Sequence, residues 1–340
     1  MHARDWVKVT RQGLYVEPGD FHVDPPRPVP RAVVTHGHAD HARAGHGATL
    51  ATPETLAIMA ARNGGSLSGG DPLPYGEARQ VGGVTVRLVP AGHVLGSAQV
   101  VLDYRGQRAV VSGDYKRRRD PTCPPFEVVP CDVFITEATF ALPVFRHPDD
   151  RHEIDRLLAS LHLFPDRAHV VGAYALGKAQ RVIALLREAG WQRPIFIHGA
   201  LQALCDLYEA HGIALGPLRP ATAADKAEMK GEIVMAPPSA LADRWSRRLP
   251  DPVTAMASGW MRVRGRARQK GVELPLILSD HADWDELTRT IAEVQAGEIW
   301  VTHGRDDALI HHARQHGLHA EALHLEGYEE EPTDVAGGGG

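Results

Sequence analysis

The feature that most constrains this chain is a repeated local plan, in which a short apolar run leads into a small or polar residue and then into His, Asp or Glu. Six segments follow it, ending at His36, His93, Asp114, Glu137, His281 and His303. Loops at strand ends are where rigid scaffolds present functional groups, so six such endings imply one shared rim. The apolar runs of the first part of the chain are Ala32 to Thr35, Val84 to Val89, Gln99 to Tyr104, Ala109 to Ser112 and Val133 to Thr136. Each has the length and β-branched content of a strand, and each is bounded by Gly, Pro or polar turns.

The pattern changes after Pro148. Ile154, Leu157, Leu158 and Leu161 recur at helical spacing, and similar patterns cover Ala179 to Ala189 and Leu201 to Glu209. Strand-like runs at His169 to Val171 and Ile195 to Ile197 lie between them, an alternation that predicts a second α/β unit. After Leu274 the short strand-like runs resume, with strands expected at Leu276 to Ser279 and Glu298 to Thr302 around a helix near Trp284 to Val294. The expected organisation is a discontinuous domain of residues 1–150 and 275–330, an inserted domain of residues 151–274, and a disordered, glycine-ended tail at 331–340.

Composition narrows the class further. A chain of 340 residues with 43% apolar and 23% charged side chains can bury a large core without staples. Cys123, Cys131 and Cys205 are odd in number and lack metal-type spacing, so neither a disulfide framework nor a zinc ribbon is expected, and a reducing cytoplasm fits. No run of about eighteen apolar residues occurs, so no membrane partner is expected. The net charge of −5 argues against a protein that coats nucleic acid through a generally basic surface, although it leaves room for a local basic groove.

The 20 histidines matter by position. In Thr35, His36, Gly37, His38, Ala39, Asp40, His41, residues two apart in an extended segment project to one side, so His36 and His38 can grip one metal while Gly37 keeps the turn unhindered. Asp40 and His41, on a helical turn that begins there, can face a neighbouring metal. His93, within Gly92 to Ala98, would be a third imidazole for the first metal, and Asp114 can bridge two metals through its two oxygens. His303 is the natural last ligand of the second. The donor set suits two divalent ions, zinc above all and manganese as an alternative. Such a pair activates a bridging water and polarises a phosphate.

The segment 36–41, with His93 and Asp114, resembles the metallo-β-lactamase superfamily. Glu137 in Thr136 to Phe140, His281 in Ser279 to Asp283, and His303 resemble the further motifs of its β-CASP nucleic-acid-processing branch, and bacterial DNA ligase-associated exonucleases are the nearest in pattern. The resemblance implies an αββα sandwich with an inserted α/β cap. It also implies a nuclease whose catalytic residues are Asp40, Asp114, Glu137 and His281, with Glu137 orienting His281 and His281 donating a proton to the leaving oxygen. DNA repair beside a ligase and a helicase follows from the same likeness.

Residues Gly172 to Lys178 resemble a cap segment whose glycine-rich turn could hold a phosphate, with Lys178 as a point charge. Two basic runs suggest a groove that tracks a phosphate backbone: Lys116 to Arg119, with Lys116 and Arg117 foremost, and Arg262, Arg264, Arg266, Arg268 and Lys270. His303 leans toward the RNA-processing pattern, so a ribonuclease stays open. A thioester, lactone or β-lactam hydrolase would share the first motifs but would need neither Glu137 nor His281, and a non-catalytic binding subunit would be expected to have lost ligands that here are all present.

Overall fold

The computed structural model describes residues 2–304 and 306–325; the side chain of His303 and the expected tail at 331–340 lie outside the described residues. The chain is mixed α/β and divides into two compact units. The first comprises the described residues up to Arg118, Pro125–Val144 and the stretch from His281 onward; the second comprises Arg119–Pro124 and Phe145–Asp280.

Two sheets build the first unit. One has six strands in the order Val7–Thr10, Gly13–Val16, Phe21–Val23, Arg31–Val33, Ala48–Ala51 and Gly70–Pro72. The other has seven, in the order His319–Ala322, Glu298–Gly304, Val133–Ala138, Gln107–Val111, Ala98–Tyr104, Val84–Pro90 and Ala78–Val81. Alternation along the strands decides which side chains go where. Val84, Val86, Leu88, Val100 and Leu102 meet Leu14, Val16 and Val33 in the layer between the sheets. Val101, Val110, Phe134 and Ile299 point the other way, onto Leu287 and Ile291 of one helix and Leu309 of another. Each such side chain, once fully buried, contributes about 1.5–3 kcal/mol.

The helices are α1 (Pro53–Arg62), α2 (Asp150–Leu163), α3 (Lys178–Glu188), α4 (Gly199–Ala210), α5 (Arg264–Gln269), α6 (Trp284–Glu293) and α7 (Asp307–Gln315). In the first unit α6 and α7 cover the outer face of the seven-stranded sheet, and α1, through Met59, covers Ala32, Val34 and Ala51 of the six-stranded one. The layers therefore run helix, sheet, sheet, helix. Thr52 begins α1 by accepting the N–H of Thr55, with Pro53 in the first turn where a missing donor costs nothing.

The second unit holds a six-stranded sheet in the order Leu218–Pro220, Ile195–Ile197, Ile233–Ala236, His169–Gly172, Val253–Ala257 and Leu274–Leu276. Every pairing in it is parallel. Its strands Ile195–Ile197, Ile233–Ala236 and His169–Gly172 are buried throughout and mostly apolar, and Pro220 and Pro275 fall on its outermost strands, where a missing donor is tolerated.

One expected strand is displaced. The run predicted at Leu276 to Ser279 pairs only over Leu274–Leu276, with Val253–Ala257 of the second unit. The N–H of Leu278 then bonds back to the carbonyl of Leu276, which turns the chain out of the sheet. Among the described residues, no helix is long and apolar enough to cross a membrane.

Candidate metal centre

The site residues of the first unit stand where its strands end. His36 follows Arg31–Val33, His93 follows Val84–Pro90, Asp114 follows Gln107–Val111, and Glu137 lies near the end of Val133–Ala138. At that last point the pairing with Glu298–Gly304 changes register between Thr136 and Ala138, a bulge of the kind that re-aims a side chain beside a site. Residues 38–42 form one hydrogen-bonded turn, with the N–H of Ala42 on the carbonyl of His38 at 2.8 Å. No helix follows it. Arg62 of α1 holds the carbonyl of Gly37 at 2.7 Å. A Cβ at Gly37 would lie 2.5 Å from Cγ2 of Ile58, so close packing on α1 requires glycine there. Gly113 has φ +55°, and a Cβ on it would meet that of Thr35 at 2.7 Å.

Ligand atoms of His36, His38, His93 and Asp114 all lie within 4.8 Å of one another. Asp114 is the hub. Its Oδ2 is 3.4 Å from Nε2 of His36, 3.4 Å from Nε2 of His41 and 3.9 Å from Nε2 of His93. His41 Nε2 is also 3.6 Å from Oδ2 of Asp40, and His93 Nε2 is 3.0 Å from Nδ1 of His38. A tetrahedral shell with bonds of about 2.0–2.1 Å places its donors about 3.3 Å apart, close to these separations. His36, His38, His93 and Asp114 are thus able to bind a metal ion.

Protonation follows from the hydrogen bonds. Thr35 donates its hydroxyl hydrogen to Asp24 Oδ2 at 2.6 Å, so toward Nδ1 of His36, 3.0 Å away, it can only accept. That fixes the His36 proton on Nδ1 and leaves Nε2 with a bare lone pair, buried and without a hydrogen-bond partner. Burial, helped by His41, holds the His36 imidazole well below its ordinary pKa, in the neutral form a metal needs. Burial also acts to lower His41, but Asp114 and Asp24 outweigh it and hold that imidazole well above its ordinary value. Asp114 is pushed up by burial and pulled further down by His41, His36 and His281, ending well below the usual carboxylate range.

Glu137 and His281 form a buried pair beside Asp114, the ligand atoms of the three lying within 4.8 Å of one another. Nδ1 of His281 is 2.9 Å from Oε2 of Glu137, which also accepts the hydroxyl of Thr139 at 2.5 Å, while Oε1 accepts the N–H of Tyr115 at 2.7 Å. Burial raises the Glu137 carboxyl, with the pull of His281 opposing it. The His281 ring lies 4.7 Å from that of His93, centroid to centroid.

Residues 17–167 match the model of the metallo-β-lactamase superfamily, a span that includes His36 to His41, His93, Asp114 and Glu137. The chain carries a metallo-β-lactamase superfamily domain. Over 94% of its length it is 31% identical to a protein of Opitutus terrae named "Probable DNA ligase". Over 36% of its length it is 30% identical to "Cleavage and polyadenylation specificity factor 73" of Drosophila melanogaster, and likewise to "Endoribonuclease YSH1" of Kluyveromyces lactis. The matched regions make up 31%, 18% and 16% of those three proteins, so this chain corresponds to only part of each. A crystallised protein of unknown function from Enterococcus faecalis V583 shares the fold, with a TM-score of 0.53, 15% identity, and coverage of 88% of this chain and 80% of that one.

Sequence reasoning missed Asp24 in the metallo-β-lactamase domain. Besides Thr35 it holds Nδ1 of His41 at 2.8 Å, and it takes the N–H of Thr35 at 2.7 Å. Its backbone has φ +44°, uncommon for a residue other than glycine. Nothing in Val23, Asp24, Pro25, Pro26 marks the residue as part of a metal site; only the fold brings it beneath the histidine loop. Carboxylates that orient ligand histidines commonly change metal affinity by 10- to 100-fold when lost. Asp24→Ala should therefore weaken metal binding by about that factor, measured by competition with a chromogenic chelator. Unchanged affinity would remove Asp24 from the site.

The substrate-binding expectations fare differently. Lys116 is buried. Arg117 reaches Thr290 and Glu293 and lies over the ring of Phe126, Arg118 pairs with Asp283 at 2.6 Å, and Arg119 pairs with Glu188 at 2.7 Å within the second unit. Arg117, Arg118 and Arg119 thus each meet a carboxylate. Lys178 is also buried, its ammonium 3.0 Å from Oδ1 of Asp280 and 4.8 Å from the ring centroid of Tyr174. One turn on, buried Arg181 pairs with Asp150, lies 3.3 Å from Asp120, and donates to the carbonyl of Ser279 at 2.8 Å. The start of α3 is a buried ionic knot, which is a structural reason for basic residues at these positions.

Proposed function

We propose that this chain is a two-metal phosphodiesterase acting on nucleic acid, with a DNA exonuclease of the β-CASP branch as the favoured form. The observation that carries the reading is the single oxygen of Asp114 that lies 3.4 Å from both His36 and His41, with the Glu137–His281 pair in the same domain. Ions bound here, zinc by the donor chemistry and manganese as the alternative, would supply Lewis-acid polarisation of the phosphate and lower the pKa of a water. His36, His38 and His93 would hold one, Asp40, His41 and His303 the other, and Asp114 both. Glu137 would keep the Nδ1 proton of His281 in place, so that Nε2 can carry a proton to the departing ribose or deoxyribose oxygen, an alkoxide that leaves poorly without it. In this reading the second unit is the inserted cap, expected over residues 151–274.

DNA is favoured because the O. terrae protein similar over 94% of this chain is named for DNA ligation, which also makes a ligase a natural partner. The name "Endoribonuclease YSH1" supports an RNA-cleaving alternative. End-labelled DNA and RNA, digested over time with zinc or manganese and again with excess chelator, tests all of this. Stepwise products from one DNA end that vanish with chelator are the expected result. Early internal cuts would overturn the exonuclease, exclusive cleavage of RNA the DNA preference, and activity undiminished by chelator the metal mechanism itself.

A further inference from the structure

The first unit has a cavity that the metal chemistry above does not use. Its volume is about 400 Å³, and it lies between residues 43–46, which follow the histidine loop, and residues 63–68, which follow α1. His46 lines it, is 6% exposed, and has its Nε2 buried without a hydrogen-bond partner. The Nδ1 of His46 accepts the N–H of Val29 at 3.3 Å. Burial holds this imidazole below its ordinary pKa, against the pull of Asp24 and of the Arg43 carbonyl. In a neutral ring whose Nδ1 accepts, the proton sits on Nε2, so the unpartnered atom is a donor. Arg43 is a second unspent group. Its Nε is likewise buried without a partner, and among the described residues no carboxylate pairs with its guanidinium. The hydroxyls of Ser66 and Ser68 are also unengaged among the described residues, and no carboxylate lines the cavity. Asp24, the acid within electrostatic reach of His46, spends its oxygens on Thr35 and His41. Water can satisfy a lone imidazole, but a cation with unpaired donors beside it and no acid on the wall favours an oxyanion of more than one charge. A phosphate monoester offers three acceptor oxygens and a charge of about −1.5 to −2.

We infer that this cavity binds a phosphate monoester, with the Arg43 guanidinium and the Nε2–H of His46 on its oxygens and the hydroxyls of Ser66 and Ser68 beside them. A volume of about 400 Å³ falls within the usual ~300–1,000 Å³ of small-molecule pockets, so there is room for a nucleoside attached to the phosphate. Leu67, packed on the cluster of Ala42, Ala51 and Met59, gives the cavity an apolar wall for it. The site itself does not depend on the phosphodiesterase reading. Under that reading its ligand is what the reaction releases, a nucleotide with a terminal phosphate, held by side chains two and five residues beyond His41.

The test is isothermal titration calorimetry on the full chain, metal-loaded and again after metal removal, with orthophosphate, deoxyadenosine monophosphate and deoxyadenosine as probes. A phosphate compound should bind in both metal states, and deoxyadenosine should bind at least about 10-fold more weakly than its monophosphate. Tighter binding of the nucleotide than of orthophosphate makes the occupant a mononucleotide, and the reverse makes it free phosphate; either supports the site. Arg43→Met and Ser68→Asp should each weaken binding to the metal-free protein by at least about 10-fold, the usual worth of a hydrogen bond to a charged group. The two positions come from different segments of the wall and Ser68 is exposed, so a folding defect in one variant leaves the other to decide. The control is Arg11→Met, which removes one positive charge at an exposed turn of the first unit and should leave the affinity unchanged. No saturable binding after metal removal, equal affinity for the nucleotide and the nucleoside, unchanged affinity in both cavity variants, or an equal loss in the control would each overturn the inference. Binding is read without turnover, so an inert wild type in the digestion above would sink the phosphodiesterase and leave this result standing.

Discussion

Replacing His281 with alanine should leave the metal content intact and lower turnover by about 10²- to 10⁴-fold, the usual worth of a positioned proton donor. The expectation follows from its contacts. His281 spends Nδ1 on Glu137 at 2.9 Å, and Glu137 is in turn fixed by Thr139 and the N–H of Tyr115. A ligand histidine carries an orienting carboxylate too, as His41 does with Asp24, so metal content is what separates the two roles. Glu137→Gln should give a smaller loss of the same kind, because an amide can occupy the space but stabilises the imidazolium poorly. Elemental analysis of His281→Ala alongside its kinetics decides the matter. Loss of an ion together with activity would make His281 a ligand, and near wild-type turnover would remove it from the chemistry.

A second large effect should come from Arg181→Met, far along the sequence from any proposed ligand. Arg181 pairs with Asp150, lies 3.3 Å from Asp120, and holds the carbonyl of Ser279 at 2.8 Å. Burial acts to lower its guanidinium, yet Asp150 and Asp120 outweigh that and keep it above its ordinary range. A methionine of similar volume removes the cation that both buried carboxylates face. Breaking a buried pair from one side typically costs about 3–5 kcal/mol. The urea transition of the second unit should move down accordingly, and a shift equivalent to under about 1 kcal/mol would mean that water reaches the carboxylates. The triple exchange Arg181→Met, Asp120→Asn, Asp150→Asn should recover part of the loss, since both carboxylates that faced the cation are then neutral amides.

How much of this is legible in the sequence depends on the distance along the chain over which each feature is built. The histidine loop is local: His36, His38, Asp40 and His41 lie within six positions, so their spacing alone keeps them together. Val84–Pro90 and Ala98–Tyr104 announce themselves by length and β-branching. By contrast, the strands Val7–Thr10, Gly13–Val16 and Phe21–Val23 have three or four residues each, too few for a period to emerge, and no pattern of residues picks them out. The apolar run after Leu274 gives no sign of where its pairing stops, because Leu276 and Leu278 are chemically alike and only the turn between them separates strand from loop. The charge run Lys116 to Arg119 reads as a solvated groove until its partners are known, and those partners, Glu188, Asp283 and Glu293, lie 69 to 176 positions away. Asp24 is hidden for a related reason, since a lone Asp before two prolines looks like any turn.

The division of the chain has a consequence for how the protein is made. The polypeptide passes between its two units at 118/119, 124/125, 144/145 and 280/281, and the strand beside Val133–Ala138 is not reached until Glu298. A ribosome that has just added residue 280 has delivered the whole parallel sheet of the second unit, while the larger sheet of the first still waits for two of its strands. Ordinary vectorial folding, in which the N-terminal domain closes first, is not open to the first unit, because its larger sheet includes strands made after the second unit. The insert can finish while its host still waits for the strands Glu298–Gly304 and His319–Ala322.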